Sequence, residues 1–226
     1  MIDKKELLEK CPSNIHKDFL AYAYDFFTSN HCKAILKGSV YKKTAHKYSD
    51  IDLVIKEIDK DTIQQLIYGF GDVALISRTQ RPLGIIIVVY CNGLSLDLDF
   101  RETVLQDELD NSDSLGNPFE KEDISTEIIR CSNVLELDDK GDWDNMQRLF
   151  HRSIIKWLGG NKALGNSILD EIITFLSSKT NIELDTNNDF KEKYKRVLAE
   201  YNRHFEFDSK YYNVLDSLLK DIPNEK

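Results

Sequence analysis

Apolar residues recur along the chain with two different periods, and the change of period marks out the elements. Residues 15–30 carry Phe19, Tyr22, Phe26 and Phe27 at helical spacing, with Leu20 and Ala23 beside them, which predicts an amphipathic helix packed on a sheet. A shorter helix over 3–10 precedes it, broken by Cys11-Pro12-Ser13-Asn14. Ala34 to Lys37 reads as a first strand and Asp50 to Lys56 as a second. A helix over 60–69 follows, with Ile63, Leu66 and Ile67 on one face, then a short buried strand over 73–76. A polar link from Ser77 to Pro82, containing Arg78 and Arg81, leads to the β-branched run 84–90, which reads as a central strand. Asn92-Gly93 is a strong hairpin signal, and 94–100 alternates strictly: Leu94, Leu96, Leu98 and Phe100 on one face, Ser95, Asp97 and Asp99 on the other.

Beyond Arg101 the pattern changes. Residues 106–125 are acidic and punctuated by Asn, Ser, Gly and Pro, which predicts a linker or a loop over the site. Residues 126–137 accommodate one short strand or helix. Broad apolar stripes then predict helices over 142–158, 163–178, 188–204 and 208–220, packed against one another. His151 and Trp157 read as packing residues. The fold class expected is α+β: a mixed sheet with flanking helices over 1–105, an acidic linker or loop over 106–125, and a C-terminal helical bundle over 126–226.

Charge alters this picture more than composition does. The chain of 226 residues is 41% hydrophobic and carries a formal net charge of −9, which argues against a general nucleic-acid binder. Residues 1–101 hold 14 Lys+Arg against 13 Asp+Glu, whereas 102–226 hold 16 against 26. An acidic second half attracts a cationic acceptor or simply keeps the surface solvated. Cys11, Cys32, Cys91 and Cys131 form no metal or redox motif. Reduced thiols, no signal-peptide segment and no apolar run of about 20 residues point to a cytoplasmic protein without a membrane span.

The candidate chemistry lies in Gly38 to Ile55. An apolar strand ends in Gly38-Ser39, and a polar loop follows. The chain then re-enters a strand through Ser49-Asp50-Ile51-Asp52. Alternation puts Asp50 and Asp52 on one face and Ile51, Leu53 and Ile55 on the other. Two neighbouring carboxylates need a cation between them, and magnesium, shared with substrate phosphates, fits. Gly38 lets the backbone bend closely around a ligand, and Ser39 adds a hydroxyl and an N–H for a phosphate. Walker-type and dinucleotide-binding Gly motifs are absent, which argues against a P-loop kinase and a Rossmann site.

This stretch resembles the signature of the DNA polymerase beta-like nucleotidyltransferase superfamily, most closely its minimal and aminoglycoside-type antibiotic members: Gly-Ser, nine residues, then Ser-Asp-x-Asp. Val40 and Lys43 stand where many members carry an Arg and a Gly. The resemblance covers roughly residues 30–101 and implies a nucleotidyltransferase sheet. It calls for a third carboxylate on a strand antiparallel to the first two, which Asp97 fits best and Asp99 second. It implies two magnesium ions held by Asp50, Asp52 and Asp97. It also implies a triphosphate held by Gly38, Ser39 and Ser49, with Lys42, Lys43, Arg78 and Arg81 as further phosphate contacts. Asp99, Glu102, Asp107 and Glu108 stay open as the base that deprotonates an acceptor. The reaction implied is transfer of a nucleoside monophosphate, AMP from ATP, to a hydroxyl of a small acceptor such as an aminoglycoside or lincosamide, an antibiotic-resistance activity. The C-terminal helices suit a domain that completes the acceptor pocket, and the apolar helices allow a homodimer. Two alternatives remain: a toxin–antitoxin-type enzyme acting on protein or tRNA, and a non-catalytic nucleotide-binding module.

Overall fold

A computed structural model describes residues 1–80, 82–131, 134, 135, 137, 141–181 and 189–223. The fold is α+β. The chain divides into two compact units, Met1–Asp138 and Asp139–Lys226.

The first unit is built on a six-stranded mixed sheet of order β3-β4-β5-β2-β1-β6. Its strands are β1 (Lys33–Lys37), β2 (Ile51–Lys56), β3 (Val73–Gln80), β4 (Leu83–Tyr90), β5 (Ser95–Phe100) and β6 (Asp113–Ser114). Its helices are α1 (Lys4–Glu9), α2 (Asn14–Ser29), α3 (Gly38–Tyr41), α4 (Lys60–Tyr68) and α5 (Gln106–Asp110). The inward residues of the strand alternation, Leu36, Leu53, Leu96, Leu98 and Phe100 among them, meet Phe19, Leu20, Ala23 and Phe27 of α2 and Ile63, Leu66 and Ile67 of α4 in one core.

β3 runs on to Gln80, through the stretch that composition marks as a polar link. Two of its polar side chains find backbone partners where they lie, whereas the buried Ser77 hydroxyl has none among the described residues. Thr79 Oγ1 donates to Pro82 O and accepts from the Ile85 N–H, and the Arg78 guanidinium donates to Leu135 O at 2.6 Å. Arg81 and, within 126–137, residues 132, 133 and 136 lie outside the described residues.

The acidic stretch 106–125 belongs to the first unit. It holds α5, β6 paired to β1, and a short 3-10 turn, Lys121–Asp123. Val104, Leu109 and Phe119 pack on Ile35 and Val54, so this segment covers part of the sheet's second face. Ion pairs fix it there. Lys33 and Lys56 are cross-strand partners, and Asp123, 3% exposed, bonds to both ammonium groups. Burial alone would raise the Asp123 pKa. The bonds from Lys56, the Glu120 N–H and Lys33 outweigh it and hold the carboxyl at about 2, against an ordinary 3.8. The group is depressed on folding, so its contribution is complete above the ordinary value and disappears as pH falls through the folded one. Asp123→Ala, which takes the shared carboxylate from between two lysines and leaves Lys33 with Glu57, is expected to cost about 3 kcal/mol in urea unfolding at pH 7, a deficit that shrinks between roughly pH 4 and 2.

The second unit contains α6 (Asp142–Leu158), α7 (Lys162–Thr180), α8 (Phe190–His204) and α9 (Ser209–Asp221). Their apolar stripes close on an aromatic core of Phe150, Tyr194, Tyr201, Phe207 and Tyr211. Its buried hydroxyls donate to backbone carbonyls, Tyr194 to Phe150 O and Tyr211 to Gln147 O. Trp157 stacks on Phe190, and His151 is buried. Among the described residues no helix is long and apolar enough to cross a membrane.

Candidate active site

β2 enters the sheet with Ile51, Leu53 and Ile55 fully buried in the core, which turns Asp52 to the second face. β5 does the same with Leu96 and Leu98, turning Asp97 and Asp99 to that face. β2 and β5 are hydrogen-bonded neighbours, and Asp52 is the register partner of Asp97. The two carboxylate-bearing residues therefore stand side by side, with backbones about 4.8 Å apart.

The two strands are parallel, which corrects the antiparallel arrangement expected from the resemblance. The reason is topological. After β2 the chain passes through α4 and β3, and the β4–β5 hairpin returns it in the direction of β2. The hairpin itself turns as expected, with Gly93 at φ +88° and its N–H donating to Tyr90 O.

Gly38 lies against this pair. Its φ is +73°, and a Cβ there would sit 1.9 Å from Asp52 Oδ2. The position demands glycine twice: for its left-handed backbone and because the Asp52 carboxylate occupies the space of a side chain. Gly38 opens α3, so Ser39 sits in a helical turn and its carbonyl accepts from the Thr44 N–H. Lys42 and Lys43 are exposed on the following loop.

Asp50 is half-buried and lies just before β2. Its position is set by Ser49, whose Oγ accepts from the His46 N–H and whose own N–H donates to His46 O. Ser49 is thus a turn-locking residue, 6% exposed. Its carbonyl lies 2.9 Å from Nε2 of buried His16, whose Nδ1 lies 2.7 Å from Ser13 Oγ. A carbonyl can only accept, so Nε2 carries the proton and Nδ1 accepts from Ser13. Burial lowers the His16 pKa, more than the Ser49 carbonyl and Asp50 raise it. His16 is a site-positioning residue that periodicity could not single out, because its place on α2 looks like any polar position.

The remaining carboxylates sort themselves by partner. Asp99, 2% exposed, accepts from Arg101 at 2.6 Å and from Arg130 at 2.8 Å. Burial opposes its ionisation, yet the two guanidiniums hold its pKa below the ordinary range. It is a buried counter-ion, not a group facing a reactant. Glu102 is exposed beyond the end of β5, where its N–H donates to Ile129 O. Glu108 bridges Arg101 at 2.5 Å and Lys37 at 3.2 Å. Arg78 is engaged with the Leu135 carbonyl.

Lys37, which no motif marks, is the register partner of Asp52 on the side away from Asp97. One row across the sheet therefore reads Ser77, Ile87, Asp97, Asp52, Lys37. Among the described residues, no three His, Cys, Asp or Glu side chains are grouped closely enough to hold a metal ion. The Asp52–Asp97 pair is nevertheless a hard-oxygen donor set of the kind that magnesium takes in general.

No protein-family model matches the chain, and no curated protein matches it. Among solved structures it is similar to the CCA-adding enzyme of Thermotoga maritima complexed with tRNA, at 13% sequence identity and a TM-score of 0.37. That match covers 97% of this chain and 54% of the other, so the chain spans about half the length of that enzyme.

Proposed function

We propose that the chain is a metal-dependent nucleotidyltransferase that moves a nucleoside monophosphate, AMP from ATP, onto a hydroxyl of a small acceptor such as an aminoglycoside or lincosamide. The observation that carries this reading is the register pairing of Asp52 with Asp97, with Gly38 seated against the Asp52 carboxylate. Asp52 and Asp97, with Asp50 at the mouth of β2, would hold magnesium. When bound, magnesium lowers the pKa of the acceptor hydroxyl and neutralises the leaving pyrophosphate. The chain's own part is positioning. The first turn of α3 offers backbone N–H groups to the polyphosphate, and the His16–Ser49 lock fixes where Asp50 stands. The hydroxyl oxygen, its proton passing to solvent, bonds to the α-phosphorus as the bond to the β-phosphate oxygen breaks and pyrophosphate leaves. Chemistry of this type rests mostly on positioning and charge neutralisation. The acidity of residues 102–226, 26 Asp+Glu against 16 Lys+Arg, favours a cationic acceptor over polyanionic RNA.

The test is transfer of label from radiolabelled ATP, GTP, CTP and UTP, with magnesium, to a panel of aminoglycosides and lincosamides. Wild type is expected to transfer label, and the Asp50→Asn/Asp52→Asn variant to lose at least about a thousandfold of that rate. If calorimetry shows no nucleotide binding to wild type, the reading is wrong.

A further inference from the structure

We infer that Lys37 is the cation that recognises the β- and γ-phosphates of the donor nucleotide, and that Glu108 is the residue that holds it in position. This rests on the nucleotidyl-transfer reading and assigns a direction to it. The row across the sheet is ordered by charge. Lys37 stands at one end, the two carboxylates Asp52 and Asp97 come next, and Ile87 and Ser77 are neutral beyond them. A triphosphate brought to two carboxylates needs cationic compensation, and on this row the side chains supply it at one end only. That end is also where the chain turns into α3, because Lys37 immediately precedes Gly38. The polyphosphate therefore extends towards Lys37, and the nucleoside and acceptor lie towards Ile87.

Lys37 differs from Lys42 and Lys43 in being held. Its side chain is 30% exposed, and one of its three N–H donors goes to Glu108 Oε1 at 3.2 Å. Glu108 is in turn fixed by Arg101, itself 2% exposed and paired to Asp99. An ammonium on a flexible stem, tethered at one donor and open to solvent, suits a phosphate oxygen as a point charge. Its preorganisation reduces the ordering cost of binding.

The alternative is that Lys37 merely neutralises Glu108. The two are separated by calorimetry of ATP, ADP and AMP with magnesium, on the full chain and on Lys37→Met, Lys37→Arg and Glu108→Gln. Lys37→Met is expected to weaken ATP binding roughly tenfold or more and to leave AMP within about twofold, since a charge-assisted bond to the outer phosphates is lost. Lys37→Arg, which keeps the charge, recovers most of the ATP affinity. Glu108→Gln lowers the preference for ATP over AMP, a ratio that a general loss of stability does not move. Equal loss for all three nucleotides in Lys37→Met, or no loss, overturns the assignment of Lys37. An unchanged ratio in Glu108→Gln overturns the positioning role. If wild type binds none of the three, it is the nucleotidyl-transfer reading that fails.

Discussion

Arg101→Met is expected to destabilise the protein by about 3–5 kcal/mol at pH 7, seen as a lower midpoint in urea unfolding. Arg101 is among the largest fully enclosed side chains of the first unit. Its two terminal nitrogens donate to Asp99 and Glu108, and both carboxyls are held below their ordinary pKa against the opposing effect of burial. Methionine fills most of the volume but leaves two carboxylates facing the gap, Asp99 with Arg130 as its cation and Glu108 with Lys37 and the Leu105 N–H. Removing one partner of a buried pair costs far more than the pair contributes over an apolar substitute. The sign of the pH dependence follows. Both groups are depressed in the native state, so their contribution is present above about pH 4 and is lost on further acidification. In the variant the carboxyls can protonate, so the gap from wild type should narrow below about pH 4. A gap that stays constant from pH 7 to pH 3 would show that lost packing, not lost charge pairing, sets the cost.

Gly38→Ala is expected to reduce nucleotidyl transfer at least about a hundredfold while the protein still unfolds cooperatively. The backbone strain of an alanine at φ +73° is worth about 1–2 kcal/mol. The larger effect is local. A methyl group cannot stand 1.9 Å from Asp52 Oδ2, so the carboxylate must leave its position beside Asp97. Activity near that of wild type in this variant, measured by the same label transfer, would show that the observed position of the Asp52 carboxylate is not needed for catalysis.

The two periods in the sequence identify most elements because burial decides them locally. The aromatics of α2, the β-branched run of β4 and the stripes of α6 to α9 each carry their own signal, and the structure places these elements within one or two residues of the periodic segments. The first half of the proposed site, Gly38 with Asp50 and Asp52, can be picked out for the same reason: it lies in one continuous stretch. What escapes the sequence is pairing at a distance. Arg78 and Thr79 look like a link until the carbonyls and the amide that they bond are known. Glu108 and Asp123 look like solvated acids in a loop. Their cations lie at 37, 101, 33 and 56, and no spacing rule connects those positions. Asp97 and Asp99 share a strand face, and no pattern in the sequence shows that Arg101 and Arg130 claim Asp99. The direction of β5 depends on how many strands intervene, which alternation does not report.

The parallel pairing of β2 with β5 has a kinetic meaning as well. Turns of helix and tight hairpins close in microseconds, whereas pairing across a long intervening segment must await loop closure and is correspondingly slow. Asp52 and Asp97 meet only through the second kind of contact. A folding intermediate holding α2 and the β4–β5 hairpin would have Asp97 on a formed strand, Asp52 on an unpaired one, and no site. Nor would a fragment that kept Gly38 to Ile55 retain a fraction of the chemistry, because half of it arrives on another strand. On the proposed function, the chain would be unable to act on nucleotide before its sheet is complete.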